Sequence, residues 1–424
     1  MNPQPPTIDV AIIGGGPSGV AAGVQLARAG LNVTIFEKEK FPRFCIGESL
    51  LPCGNDMLRQ LGVWEKLDNV GYLRKYGADF CSGDGTRRHR FWFNQTLGPG
   101  REYTFQVDRA SFDKILLDHA REQGCGVREQ TRVTALEDVG AETMRLSYAD
   151  PDGASALDAR WVIDASGRAA FAGARAGLRR SETLKHRRVA IYGHFEGVLR
   201  NSGKAEGHIA IIRLRDSWFW FIPLANNRTS VGLVVPSEKV ARGGAKKLDA
   251  VFREAVEGSP EVHERLAGAN AVTPLAATGD YSWRFSSFAT PRILLTGDAA
   301  GFLDPVFSSG VTLALKSGML AAKFLLKADA DGRGLLPSEQ TRYTREIIRW
   351  MKQYAKIIRM FYTTAGFEVF MSPSPFLGIP KSITKLVGGE TMLGTVDRLR
   401  LKAFRMICRT QRIMPVAPVI PSLR

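Results

Sequence analysis

The chain reads as an α/β protein: a Rossmann-like, dinucleotide-binding domain that carries an inserted, mainly antiparallel sheet and ends in a helical C-terminal region. Three observations predict this. A strand, a glycine-rich turn, a helix and a second strand open the chain. Two later apolar strands, 161–164 and 292–295, each run into an aspartate among small residues. Residues 331–424 then show helical periodicity with no strand pattern. At 424 residues the chain exceeds one ordinary core, so two lobes are expected.

The opening unit carries the clearest motif. Residues 9–13 are an apolar run of strand length, followed by Gly14, Gly16, Pro17, Ser18 and Gly19. A small-residue helix spans 20–29, and a second strand, 32–36, ends at Glu37. Glycines at this spacing let backbone approach a pyrophosphate and let helix and strand pack closely. The helix N-terminus offers N–H groups to the phosphates, and Glu37 is placed to bind ribose hydroxyls. A glycine turn without a ligand is the plain alternative, and the strand–helix–strand setting with its acid argues against it.

Composition bounds the partners. Lys and Arg number 58 against 42 Asp and Glu, a formal charge of +16. Such a surface favours anionic partners, or reflects solubility and a bias toward arginine. Nucleic-acid or lipid-surface binding would rest on that charge alone, and no nucleic-acid partner is expected. Cys45, Cys53, Cys81, Cys125 and Cys408 are odd in number and form no CxxC, so neither a disulfide framework nor a zinc site is indicated; no metal site is assigned. There is no apolar run of membrane-spanning length and no signal peptide, so a cytoplasmic protein without a transmembrane segment is expected.

After Glu37, a nicotinamide enzyme would run on into further strand–helix–strand units. Instead a loop intervenes that holds Lys38, Arg43 and Gly47-Glu48-Ser49-Leu50-Leu51-Pro52. At this point the sequence resembles the flavin-binding fold of FAD monooxygenases, and the loop is similar to the GES(L)LP segment of flavin-dependent halogenases. The resemblance implies an FAD-binding domain of the GR2 type, with Lys38, Arg43 and Ser49 on the cofactor. It also implies that Gln106 and Arg109, at a strand end entering an amphipathic helix, lie against the flavin. Asp164, ending the strand 161–164, would lie under the adenosine part, or simply cap a turn. Asp298, after the strand 292–295, would bind the ribityl chain.

Pro305 cannot sit inside a helix, so the next helix is expected to begin near Ser309, its free amides facing the flavin. The resemblance assigns Ser309 and Gly310 to the halide and Gly310-Val311 to the flavin. Ordinary capping by Ser308 or Ser309 would use the same amides.

Residues 217–224 are an aromatic strand ended by proline. Trp218, Trp220 and Ile222 share one face of it, and Pro223 cannot continue a central strand. By itself the run would be core. Trp218, Trp220, Ile222 and Pro223 match the WxWxIP motif of flavin-dependent halogenases, which implies a wall that keeps the organic substrate off the flavin. Hypohalous acid made on the flavin side must then be delivered, and a lysine can do so by donating a hydrogen bond or by forming a haloamine. The segment around Lys75 resembles the family's catalytic lysine segment; a solvated Arg74-Lys75 pair at a strand start is the alternative.

The chain departs from tryptophan halogenases, which carry a glutamate two residues before the Ser/Thr-Gly pair; here that position is Phe307. It looks more like the phenol and pyrrole halogenases. An electron-rich phenol or pyrrole needs less help in losing its proton. The resemblance implies FAD, delivered as FADH2 by a separate flavin reductase, with dioxygen and chloride or bromide as cosubstrates. The substrate it implies is an aromatic small molecule, either free or thioesterified to an acyl or peptidyl carrier protein, in secondary metabolism. An aromatic hydroxylase and an isoprenoid double-bond reductase share the fold and stand as alternatives.

The expected division is 1–180 and 285–330 for the FAD-binding domain, 181–284 for the substrate-side sheet and 331–424 for the helical region. Strands 189–196, 208–214 and 229–235 flank the tryptophan run, with His194 and His208 read as structural. Residues 240–267 read as a charged helical pair. In the tail, Tyr343, Ile347, Trp350, Tyr354, Ile357 and Phe361 make one apolar helical face. Arg398, Arg400, Lys402, Arg405, Arg409 and Arg412 form a basic stretch that is a solvated face or touches a membrane surface or carrier. Pro415, Pro418 and Pro421 are expected to give an extended tail.

Overall fold

A computed structural model describes residues 6–140, 142–182, 187–240, 244–279, 283–372 and 378–424. The first sheet has seven strands. Its parallel part runs Gly126–Arg128, Val33–Phe36, Thr7–Ile13 and Gly153–Asp164, with Ile293–Leu295 also parallel to Gly153–Asp164. Thr143–Asp150 and Arg132–Gly140 extend it in antiparallel fashion. Val10, Ala11 and Ile12 are fully buried, as expected for a central strand covered on both faces.

The helix Pro17–Arg28 packs on this sheet and against a long helix, Gly310–Ala330. The two cross so closely that a Cβ on Gly318 would lie 2.2 Å from the Ser18 carbonyl oxygen. Both helices therefore begin on the same side of the sheet.

The second sheet has eight strands, in the order Asn270–Ala271, Arg188–Glu196, Arg228–Pro236, Trp218–Pro223, Ile209–Arg213, Gly77–Ser82 and Arg88–Trp92, with Ala276–Gly279 also on Arg188–Glu196. Pairing is antiparallel except between Ile209–Arg213 and Gly77–Ser82. The sheet is thus not drawn from 181–284 alone. Gly77–Ser82 is buried along its whole length, which makes it an interior strand of this sheet and not part of the flavin lobe.

The aromatic strand alternates as its sequence requires. Trp218, Trp220 and Ile222 join the main core, while Phe219 and Phe221 enter a separate core with Phe195, Phe252 and Val262. The helices Ala245–Glu257 and Pro260–Leu266 close that second core. Trp220 stands opposite Gly232, where a Cβ would fall 2.0 Å from the indole.

The helix Pro337–Phe361 buries Tyr343, Ile347, Trp350, Tyr354, Ile357 and Phe361 on one face. The end of the chain is not a free extended tail. Ala417, Ile420 and Leu423 are buried between the prolines, and Glu368, itself fully buried, accepts the Ile420 N–H at 3.0 Å. Gln411 Oε1 accepts the Val416 and Ala417 N–H groups at 2.7 Å each. One of these buried acceptors is local, on Gln411, and the other is distant in sequence, on Glu368; together they fold the segment back. Among the described residues no helix is long and apolar enough to cross a membrane.

Gly232→Ala should drive Trp220 from its position and cost about 1–3 kcal/mol by overpacking. Urea unfolding monitored by tryptophan fluorescence checks this, and an unchanged midpoint and spectrum would show that the indole is not held there by the absent side chain.

Candidate functional site

A cavity of about 470 Å³ runs from the start of the helix Pro17–Arg28 to the start of Gly310–Ala330. At the first end, Gly14 adopts φ +108° and lies so close to Ala165 that a Cβ would meet its carbonyl oxygen at 2.4 Å. The helix is entered through Gly16, in extended conformation, with no side chain capping its amides. Gly14, Gly16, Pro17, Ser18, Glu37, Lys38, Arg43 and Ser49 border the cavity. The Glu37 carboxylate is fixed by accepting the Gly15 and Glu39 N–H groups, each at 2.9 Å. These are the features a dinucleotide needs: unblocked helix amides, a backbone it can approach and a carboxylate held at a strand end. The residues present fit FAD.

Arg109 also borders the cavity. It grips Asp113 as a fork, Nε to Oδ1 at 2.9 Å and Nη2 to Oδ2 at 2.8 Å, and Nη1 donates to the Ile46 carbonyl at 2.9 Å. Asp113 also takes Arg43 Nη1 at 3.2 Å.

Three residues expected at the cofactor do not reach the cavity. Gln106 ends the strand Thr104–Gln106, which pairs with Leu73–Lys75; it is buried there, and its amide donates to the Gly207 carbonyl at 2.9 Å. Asp164 braces the turn behind the cavity by accepting the Ser166 N–H at 3.0 Å and the Ala172 N–H at 2.6 Å. Gly19 serves packing, since a Cβ would lie 2.1 Å from the Gly14 carbonyl oxygen.

At the other end the cavity is bounded by Asp298, Asp304, Ser309, Gly310 and Val311. Burial pushes the Asp298 carboxyl up to about 6, against the pull of the Arg109 and Arg168 charges. Asp298 still borders the cavity directly, so its surroundings there change with whatever fills the space. Ser308 takes a left-handed φ of 54°, and the helix Gly310–Ala330 starts from Ser309. No side chain caps this N-terminus either, so the serine capping considered from sequence is not used. The amides are open to the cavity, and a Cβ on Gly310 would meet nothing within 4 Å.

Trp218, Trp220 and Ile222 form one wall; Pro223 ends the strand outside it. Trp220 Nε1 donates to Ser230 Oγ at 3.2 Å. Trp218 Nε1 donates to the Tyr362 hydroxyl at 2.7 Å, and that hydroxyl donates to Asp304 Oδ2 at 2.6 Å. Asp304 also accepts the Val306 N–H at 3.1 Å, and burial raises its carboxyl above the usual range. The wall and the loop leading into Gly310–Ala330 are therefore one hydrogen-bonded unit. Tyr362 had no signal in the sequence, because its role depends on where the C-terminal helix docks.

Lys75 is 1 % exposed and does not itself border the cavity. Its Nζ donates to Ser49 Oγ at 2.8 Å and to the Leu50 carbonyl at 2.9 Å, and lies 5.7 Å from the centre of the Phe93 ring. No carboxylate pairs with it among the described residues. Burial lowers its amine to about 7. Arg74 points the other way, to Asp68 at 3.1 Å in solvent, as strand alternation requires. Ser49 stands between Lys75 and the cavity. Beside it, Glu48 accepts the Gly47 N–H at 3.1 Å and meets His194 Nε2 at 3.2 Å. That pair escaped the sequence, although Glu48 lies inside the loop motif.

Residues 7–343 match the FAD binding domain family. The 1H-pyrrole-2-carbonyl-[peptidyl-carrier protein] chlorinase of Pseudomonas fluorescens is 31% identical over 84% of this chain and 83% of its own length. Among solved structures, a flavoprotein/dehydrogenase from Cytophaga hutchinsonii superposes with a TM-score of 0.86 at 27% identity, covering 96% of this chain and 99% of the other. The flavin-dependent brominase Bmp2 superposes with a TM-score of 0.83 at 26% identity, covering 96% of this chain and 100% of the other. A dinucleotide cavity with two unblocked helix starts, an indole wall along one side and a relative of this kind over most of both chains lead to one conclusion: the chain belongs to the flavin-dependent halogenases, within the FAD binding domain family.

Proposed function

We propose that this enzyme halogenates an electron-rich aromatic, a phenol or a pyrrole, and that Lys75 delivers the electrophilic halogen. The observation that carries the proposal is a fully buried amine with no carboxylate partner, held to Ser49 at the edge of the cavity. Bound FAD, reduced by a separate flavin reductase and reacting with dioxygen, supplies the oxidising equivalent that turns a halide ion into hypohalous acid.

The chain's own residues do the rest. The open amides at Ser309 and Gly310 and the positive end of their helix hold the halide. Gly310 and Val311 hold the flavin, with Asp298 on its ribityl chain. Trp218, Trp220 and Ile222 keep the aromatic away from the flavin, so that oxygen transfer to it is suppressed. Lys75 takes the electrophile either as an ammonium hydrogen-bonded to hypohalous acid or as an amine. In the second case an N–halogen bond forms and water leaves. Transfer to the ring then forms the carbon–halogen bond, the ring loses its proton and the amine is restored. An amine lowered to about 7 has both forms available near neutral pH.

The absence of a carboxylate at Phe307 suits a ring that loses its proton readily. The Pseudomonas relative is named for a pyrrole carried on a peptidyl carrier protein. A formal charge of +16 would attract an acidic carrier, so a tethered substrate is the preferred form here.

The test supplies reduced FAD, oxygen and bromide with a phenol or a pyrrole thioester and follows product mass; hydroxylation without halogenation would overturn the proposal in favour of a hydroxylase. Lys75→Ala should abolish halogenation while flavin oxidation continues, and surviving halogenation would remove Lys75 from the delivery step. Stability gives a second check. The folded amine titrates at about 7, below its ordinary 10.5. Between those pH values the unfolded chain holds a proton that the folded chain does not, so stability rises with pH, by about 1.4 kcal/mol per unit. Wild type should show this rise relative to Lys75→Met from pH 7 to pH 10, and parallel curves would mean that the amine stays protonated in the fold.

A further inference from the structure

The helix Thr395–Thr410 buries Asp397, Phe404 and Cys408 on its inner face. Its exposed side carries an apolar stripe, Val396, Leu399 and Met406, beside a row of cations. Among the described residues thirteen large hydrophobics are exposed, and seven of them lie between 392 and 416, so the exposure is concentrated here. Leu399 is 61 % exposed, Met406 60 % and Ile413 91 %.

The spacing is informative. Val396, Leu399, Ala403, Met406 and Thr410 alternate by three and four, the spacing of a two-helix coiled-coil seam; Ala403 is half-buried against the main core, the other four are exposed, and Ile413 continues the row in the turn that follows. Ala403 and Thr410 are small, which leaves room along the seam for knobs from a second helix. Arg398, Lys402, Arg405, Arg409 and Arg412 flank one side, and none has a carboxylate partner among the described residues. Next to the seam, between this helix and Pro337–Phe361, is a cleft of about 120 Å³ lined by Lys356, Ile357, Arg398, Leu401, Phe404 and Arg405. Burial, with Arg405 and Lys352 nearby, lowers the Lys356 amine, so positive charge is crowded at this edge.

We infer that this face is a docking surface for a partner protein that presents an amphipathic helix with acidic flanks. Two copies of this chain would set one row of cations against another, which like-charge repulsion disfavours. An acidic helix supplies both the apolar seam and the opposite charge. The surface lies outside the cavity and the inference is independent of which aromatic is halogenated.

The probe is a labelled helical peptide of about three heptads, with leucine at the seam and glutamate on both flanks. It is titrated into the FAD-loaded full chain, beside a peptide with lysine flanks and vesicles of phosphatidylserine and phosphatidylcholine. Saturable binding of the acidic peptide is expected, weakening with salt. Leu399→Glu/Met406→Glu should weaken it at least about tenfold, as should Arg405→Glu/Arg409→Glu, with FAD binding unchanged in both. Equal binding of the lysine peptide would overturn the inference. So would vesicle binding without peptide binding, which makes the face a lipid-surface contact, or self-association of the chain abolished by Leu399→Glu/Met406→Glu.

Discussion

The crossing of the helices Pro17–Arg28 and Gly310–Ala330 sets where the other parts of the site lie. A side chain at Gly318 would enter the Ser18 carbonyl, so only glycine lets the two backbones come this close. The close approach sets the start of one helix against the third turn of the other, and the helix starts at Gly16 and Ser309 bound opposite ends of one cavity. Two positive dipole ends then bound the same space. That explains why neither helix carries a side-chain cap. A cap would satisfy the amides locally and remove the field that an anionic phosphate or halide would use.

The second sheet gives this anion-favouring space its apolar wall. A wall of indoles is useful only if it stays in place, and each tryptophan is held by a polar contact as well as by packing. Trp220 lies against Gly232 and bonds Ser230; Trp218 bonds Tyr362 and through it Asp304. Behind the wall, Phe219 and Phe221 are locked into a core of their own. The strand is therefore buried on both faces, and the hydrogen bonds from Trp218 through Tyr362 tie it to Asp304 in the loop that leads into Gly310–Ala330.

Much of this was legible from sequence, for a physical reason. Glycine spacing, strand alternation and helical periodicity are local, so four of the seven strands of the first sheet, the shared face of Trp218, Trp220 and Ile222, and the buried stripe of Pro337–Phe361 could be read directly, while the strands between 126 and 150 were not. Features that depend on distant backbone could not. Gln106 looked like a flavin neighbour because it ends a strand near Arg109, yet the strand register turns it toward Gly207. Gly77–Ser82 belongs to the second sheet because it pairs with residues far along the chain at 209–213. The prolines near the C-terminus suggested an extended tail; the distant acceptor that folds it back is Glu368, with Gln411 adding a local one. Tyr362 and the Glu48–His194 pair were invisible for the same reason.

Lys75 and Arg109 show how differently one protein can bury positive charge. Arg109 is forked onto Asp113, and its charge is fixed at every pH the fold survives. Such a group suits a constant anionic partner, and Arg109 borders the cavity where phosphates and flavin would lie. Lys75 has only a hydroxyl and a carbonyl for company, both of them acceptors for its N–H groups. With a carboxylate beside it, the amine would stay protonated and could do no more than donate hydrogen bonds. With none beside it among the described residues, burial lowers the amine to about 7. The difference in counter-ion therefore separates a buried cation that is held charged from one whose charge burial opposes. Ser49, which bonds the amine and borders the cavity, is the contact that joins the two.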